Sequence, residues 1–439
     1  MLTREENELL TRVGPGSRMG ELFRRFWLPV LLSEELPQPD CPPVRLRLMS
    51  EDLIAFRDTM GRVGLIEAYC AHRGAFLYWG RNEECGLRCT YHGWKFDVEG
   101  RCVDMPTEAP GSSFKDKVRI RSYPTRELGG IVWAYMGAEE NIPELPDFEW
   151  MHLPETHRHV SKWLQESNWL QGLEGEMDTS HASLLHRFTD SPAAPAYQQR
   201  AIRMEALYHD TAPRIAVKET AYGFVYGGRR DAGESEYYWR VMHWLLPTFS
   251  LIPAPEYPMA AGRAWVPIDD EHTFTFSYTF HPERPLTDEE VGALKAGVRF
   301  PPELDRSTYR LEDGYVIDTW RPKRNRENNY LIDREIQRSR NYTGIHGIND
   351  QDRSIQETMR SYAGKWGTIA DRTRERLGST DLAIIAIRQR LLAILREMQK
   401  GNEPKPIPGA LYNRRPLDVV SHQAQFADLL EENKGIIRS

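Results

Sequence analysis

Cys70-Ala71-His72 and, after sixteen intervening residues, Cys89-Thr90-Tyr91-His92 place two cysteines and two histidines in a short window. Two thiolates on one iron and two neutral imidazoles on the other form the ligand set of a Rieske [2Fe–2S] cluster. The order alternates Cys, His, Cys, His, so each short pair supplies one ligand to each iron. That requires two tight loops facing one another. Gly74 and Gly93 follow the two histidines, where glycine accepts the backbone such loops need and leaves its amide free to approach cluster sulfur. Zinc also takes Cys2His2 sets, but zinc fingers keep the two cysteines in one pair and the two histidines in the other.

Cys41, Cys85 and Cys102 lack a histidine at ligand spacing and read as structural. Cys85 is a rival ligand four residues before Cys89, but Glu83-Glu84-Cys85-Gly86 reads as a turn between strands. Five cysteines in 439 residues, four of them within 33 positions, do not make a disulfide framework and point to a reducing compartment. A net charge of −7 argues against general nucleic-acid affinity. No apolar run approaches the roughly 20 residues of a membrane span, and the charged start Met1-Leu2-Thr3-Arg4-Glu5-Glu6 is not a secretory signal. A cytoplasmic protein is expected, with no nucleic acid and no membrane among its partners.

Periodicity divides the chain into a helical N-terminal segment over 1–42, a small antiparallel β domain over 43–150 that carries the cluster, and a larger domain over 151–439. In the first, Met19 to Trp27 has a helical pattern. In the second, Val44, Leu46 and Leu48 alternate with Arg45 and Arg47, and Gly129-Gly130-Ile131-Val132-Trp133-Ala134-Tyr135 closes the unit. Further on, Tyr237 to Leu251 and Thr273 to Phe280 read as neighbouring strands of a larger sheet. A late helix starts at Ser379 and Thr380 and runs through Leu391, Leu392, Leu395 and Met398. The expected class is α+β, with the second sheet covered by helices.

A cluster only moves electrons, so a consumer is needed. Asp178-Thr179-Ser180-His181-Ala182-Ser183-Leu184-Leu185-His186 is the candidate, since two imidazoles and one carboxylate make the facial triad of mononuclear non-haem Fe(II) oxygenases and leave positions open for dioxygen. His181 and His186 are five apart, about 140° around an ideal helix, so both reach one metal only where the helix ends, bends or widens. Two unrelated helical histidines are the bland alternative.

Together, Cys-x-His-Arg-Gly at Cys70 to Gly74, Cys-x-x-His-Gly-Trp at Cys89 to Trp94 and Asp-x-x-His-x-x-x-x-His at Asp178 to His186 resemble the oxygenase (alpha) component of the Rieske non-haem iron aromatic-ring-hydroxylating oxygenases over nearly the whole chain. Glu174 fits the acidic or amide position of the extended motif. By the same resemblance Gly347 to Glu357 is the stretch that bears the third iron ligand, assigned to Asp352 with Asp350 as rival. Asp371-Arg372-Thr373 and Leu377-Gly378 look like the phthalate dioxygenase branch, whose oxygenase is a single type of subunit.

The resemblance implies a [2Fe–2S] cluster on Cys70, His72, Cys89 and His92, and a mononuclear Fe(II) on His181, His186 and Asp352. It also implies a homotrimer, able to stack as a hexamer, in which Asp178 bridges a Rieske histidine of one subunit to an iron-bound histidine of its neighbour. Electrons would come from NADH through a flavin and iron-sulfur reductase, and O2 would cis-dihydroxylate an aromatic carboxylate, a phthalate or substituted benzoate, in aromatic hydrocarbon catabolism. A buried ring acid needs a cation; Arg240 on an apolar strand is the first candidate and Arg203 the second, while each could equally be a surface arginine whose stem covers apolar area. Two alternatives remain open: a monooxygenase or O-demethylase of an aromatic acid on the same iron, and an electron-transfer iron-sulfur protein without catalytic iron.

Overall fold

The computed structural model describes residues 1–188, 198–254, 258–362 and 364–438, with the backbone alone for 198–202. Thr3 caps α1 (Arg4–Thr11): its side chain accepts from Glu6 N while Glu6 accepts from Thr3 N. Ser17 caps α2 (Arg18–Phe23). The helical reading of 1–42 ends there, because Trp27–Leu32 is a strand, β1, buried along its length. Its unbroken apolar run suits a strand covered on both faces.

A four-stranded sheet follows, with β2 (Val44–Leu48), β3 (Glu51–Arg57) and β4 (Val63–Glu67) in sequence, and a second small sheet holds β5 (Arg81–Glu83), β6 (Gly86–Arg88), β7 (Lys95–Phe96) and β8 (Cys102–Asp104). Glu84 and Cys85 form the left-handed two-residue turn between β5 and β6, which places Cys85 in a hairpin and away from the cluster loops. β9 (Ser122–Tyr123) joins β4, and β10 (Thr125–Leu128) pairs with β11 (Ile131–Tyr135), which pairs in turn with β1.

After α3 (Glu149–His152) the larger unit opens with β12 (Arg158–Gln165) and α4 (Trp169–Met177), then α5 (Gln198–His209). β13 (Arg214–Thr220), β14 (Gly223–Gly233), β15 (Glu236–Leu245), β16 (Phe249–Pro253), β17 (Ala260–Pro267) and β18 (Thr273–Phe280) build an antiparallel sheet ordered β12-β18-β17-β16-β15-β14-β13. The stretch from Tyr237 to Leu251 is therefore two strands, interrupted at Leu246-Pro247 where proline cannot continue the ladder. Neither of these two strands adjoins Thr273–Phe280, since β17 lies between.

Then come α6 (Asp288–Lys295), the hairpin β19 (Leu304–Arg310) and β20 (Val316–Pro322), α7 (Arg334–Ser339), α8 (Ile348–Gln356), α9 (Leu382–Gln399), β21 (Leu417–Ser421) beside β15, and the terminal helices α10 (Phe426–Glu432) and α11 (Lys434–Ile437). Leu391, Leu392, Leu395 and Met398 of α9 are buried in the main core, which runs from the N-terminal helices to the large sheet. A smaller core, built on Phe56, Ile66, Leu77, Leu87 and Phe96, packs around Cys70 and Cys89. The β19–β20 hairpin ties the two units together: Asp318 takes the Arg45 guanidinium at 2.7 and 3.2 Å, and Asp313 takes Arg47 at 2.7 Å. Among the described residues no helix is long and apolar enough to cross a membrane.

Candidate metal centres

The two Cys/His loops are built alike. Cys70 N donates to Ala75 O and Gly74 N to Cys70 O; Cys89 N donates to Trp94 O and Gly93 N to Cys89 O, all at 2.8–2.9 Å. Each loop closes on a glycine at positive φ, +69° at Gly74 and +79° at Gly93, a conformation a side chain would strain. The loops bring His72 Nδ1 to 3.1 Å from His92 Nδ1, with the Cys70 and Cys89 thiols buried behind. Burial, with Cys89 alongside, pushes the Cys70 thiol up to about 11. Such a thiol ionises readily only against bound metal, and two inward thiols opposite two facing Nδ1 atoms fit a Rieske cluster. Trp94 stacks on His72 with ring centres 4.5 Å apart.

The second constellation forms where α4 stops. Asp178 is the C-terminal cap of that helix, and His181–Ser183 is a single 3-10 turn. The helix thus ends before the first histidine, which meets the condition that five-residue spacing imposes. Leu184 N and Leu185 N both bond to His181 O, folding the chain back so that His186 Nε2 lies 3.2 Å from His181 Nε2. From α8, Asp352 Oδ1 reaches to 3.1 Å from His186 Nε2 and 3.5 Å from His181 Nε2. These three side chains can offer ligand atoms all within 4.8 Å of one another, and two imidazoles with one carboxylate suit non-haem Fe(II). Asp350, the rival, points elsewhere: it pairs with Arg353 at 3.0 Å and Arg324 at 3.6 Å. α4 and α8 approach closely because Gly175 faces Gln356, whose Nε2 would lie 2.2 Å from any Cβ there.

Asp178 Oδ2 lies 3.5 Å from His181 Nδ1. Burial lowers the His181 imidazole, but Asp178, with Asp352 and Glu176 behind it, outweighs this and raises it to about 9. Burial raises the Asp352 carboxyl; the charges of His186, His181 and Arg263 outweigh it and hold that carboxyl below its usual range. Two metal-competent centres thus occupy one chain.

Residues 26–124 match the Rieske [2Fe-2S] domain family, and residues 134–428 match the family described as LigXa C-terminal domain like. The 3-chlorobenzoate-3,4-dioxygenase oxygenase subunit of Comamonas testosteroni is 41% identical over 92% of this chain and 91% of its own length. The phthalate 4,5-dioxygenase oxygenase subunit of Pseudomonas putida is 39% identical over 98% and 97%. The chain belongs to the Rieske non-haem iron aromatic-ring-hydroxylating oxygenases, on the phthalate dioxygenase branch. The solved structure of dicamba monooxygenase bound to dicamba shares the fold, with a TM-score of 0.57 at 16% identity over 86% of this chain and 98% of that one. The family carries a mononuclear iron in the catalytic domain beside the Rieske centre, and its oxygenase components work with a reductase or ferredoxin.

In this oxygenase Arg240 lies on the sheet face toward the second centre, and Arg203 joins it through Asp418. Gly228 of β14 pairs with Arg240 of β15, and a Cβ on Gly228 would lie 2.6 Å from Thr179 Cγ2, so this face of the sheet abuts the Asp178 turn. Tyr226, two residues earlier on the same face, donates from Oη to Met177 O at 2.8 Å. Arg240 also pairs across to Asp418 of β21, whose side chain Arg203 reaches at 3.3 Å. Arg230 completes the group and grips the His181 turn, donating from Nη2 to Thr179 O at 2.7 Å and Ser183 Oγ at 3.3 Å. Asp418 thus lies in the field of three guanidiniums, yet burial still lifts its carboxyl above the ordinary range. Arg240 keeps part of its surface open although its strand neighbours Trp239, Val241 and Met242 are buried.

Sequence reasoning missed Arg230, Asp418, Gln351 and the pair Glu176–Arg263. Glu176 Oε1 accepts from Ser250 Oγ at 3.0 Å and from Arg263, which is 1% exposed. A single arginine inside Ala260-Ala261-Gly262-Arg263-Ala264-Trp265 was the available signal, because a lone charge in a buried strand must be paired. Arg372 and Arg388 hold the Glu174 carboxylate at 2.8 and 2.6 Å, so the acidic position of the extended motif is an ion-pair network.

Proposed function

We propose that this oxygenase adds both atoms of O2 to adjacent ring carbons of an aromatic carboxylate, a phthalate or substituted benzoate, as a cis-diol, with electrons from NADH delivered by a flavin and iron-sulfur reductase. The observation that carries the reading is the convergence of His181, His186 and Asp352 in a chain that also folds a Rieske domain. Cys70, His72, Cys89 and His92 would hold the cluster and those three the iron. When bound, the iron supplies open coordination positions at which dioxygen is activated.

The protein's own residues supply the rest. Asp178 orients His181 through Nδ1 and offers a carboxylate at the surface side of the centre, where its side chain keeps 20% of its exposure. His72 and His92 are also partly exposed, so each centre has an edge that a second subunit can meet. A homotrimer in which Asp178 of one subunit meets a Rieske histidine of the next would join the two centres across the interface, and such trimers can stack as hexamers. The guanidiniums of Arg203, Arg230 and Arg240 act together on Asp418, and a cation available on this face supports an anionic substrate. Arg240, the partly open member, would receive the substrate carboxylate and Arg203 would back it through Asp418, because a ring acid in a low-dielectric site requires a cation.

The reading is tested by supplying the purified oxygenase, a surrogate reductase and NADH with a panel of benzoates and phthalates under labelled dioxygen. Two labelled atoms per product establish dioxygenation. One labelled atom would make the protein a monooxygenase or O-demethylase instead.

A further inference from the structure

The two histidines of the second centre are held by different chemistry. His181 presents Nδ1 to the Asp178 carboxylate at 3.5 Å, and His186 presents Nδ1 to the amide oxygen of Gln351 at 2.8 Å. The amide cannot be reversed without loss, because Gln351 Nε2 donates to Ile345 O at 3.0 Å. Its Oε1 must therefore accept, and His186 Nδ1 must carry the proton. This leaves the lone pair of His186 on Nε2, the atom that faces Asp352 and His181. Gln351 is 3% exposed, so water does not compete for this bond, and a partner left unmet there is costly.

We propose that Gln351 is the positioning residue of His186, and that it makes the two imidazole ligands inequivalent. The inference rests on the assignment of His181, His186 and Asp352 as the metal site. Gln351 directly precedes Asp352 in the first turns of α8, so one short helical segment sets one ligand by its carboxylate and aims another by its amide. A neutral amide draws on the Nδ1 proton less than a carboxylate does, which makes His186 the less electron-rich of the two ligands. Groups of this kind that orient metal-bound histidines are worth about 10- to 100-fold in metal affinity.

The test uses full-length protein with its Rieske cluster retained and its mononuclear iron removed, then titrated with Co(II) by dialysis against a competing chelator. Bound Co(II) is also read by low-temperature EPR, with the oxidised cluster silent. Gln351→Leu should bind Co(II) about 10- to 100-fold more weakly than the parent and with a changed signal. Gln351→Glu, which keeps an acceptor for His186 Nδ1 and, when protonated on its other oxygen, a donor for Ile345 O, should bind within a few-fold of the parent, at the strength expected of a maintained orienting bond, yet with a shifted signal. Parent-like affinity and signal in Gln351→Leu would overturn the proposal, as would a Gln351→Glu variant as weak as Gln351→Leu. A parent chain that takes up no Co(II) would instead sink the metal-site assignment beneath it.

Discussion

Asp178 divides its two oxygens between Ser180 and the His181 imidazole. Oδ1 accepts from Ser180 N at 2.7 Å and Ser180 Oγ at 2.6 Å, while Oδ2 faces His181 Nδ1 at 3.5 Å. An asparagine can keep the turn through its own oxygen but carries no charge. Asp178→Asn should retain the Rieske spectrum and both metals, and lose about 100-fold or more in turnover, in line with the upper range for groups that orient metal ligands. Activity equal to the parent would refute the bridging role.

Asp352 and Asp350 lie one residue apart on α8 but face different partners. Asp352→Ala should lose the mononuclear iron while cluster absorbance is unchanged. Asp350→Asn should keep that iron at the parent level, and metal analysis of the two purified variants separates them.

If Arg240 receives the substrate carboxylate, Arg240→Gln should raise KM for ring acids about 10- to 100-fold, the range of one charge-assisted hydrogen bond. Binding of a neutral ring analogue, followed by calorimetry, should change little. An unaltered KM would remove Arg240 from the pocket.

Burial raises the Glu174 carboxyl, but Arg372 and Arg388 outweigh it and hold it down at about 2. A carboxyl depressed in the folded state adds stability above its unfolded pKa, and that stability is lost as pH falls toward the folded value. The gap in urea midpoint between parent and Glu174→Gln should correspond to about 3 kcal/mol at pH 7. It should narrow as pH drops from about 4.5 toward 2. A gap independent of pH would contradict the ion-network role.

The two Cys/His loops were legible because Cys70, His72, Cys89 and His92, with Gly74 and Gly93 closing the turns, sit in 25 consecutive positions, Cys70 to Trp94, where local geometry alone dictates the pattern. The His181/His186 pair was legible only as a condition, that the helix must stop, and α4 does end at Met177. Asp352 could be placed by resemblance alone, because a carboxylate more than 160 residues downstream of His186 has no local signature for joining the two histidines. What was hidden depends on long-range pairing. The order of the large sheet, the return of Trp27–Leu32 as a strand against β11 and the meeting of Arg203, Arg230 and Arg240 at Asp418 all join segments whose patterns say nothing of one another.

Cys70 and Cys89 belong to the smaller core, which is separate from the one beneath the large sheet. The two meet at the β2–β3–β4 sheet, where Leu53 and Leu65 enter the larger core while their neighbours Ile54 and Ile66 enter the smaller one. Loss of the cluster would therefore loosen the smaller core directly and reach the larger one only through this shared sheet.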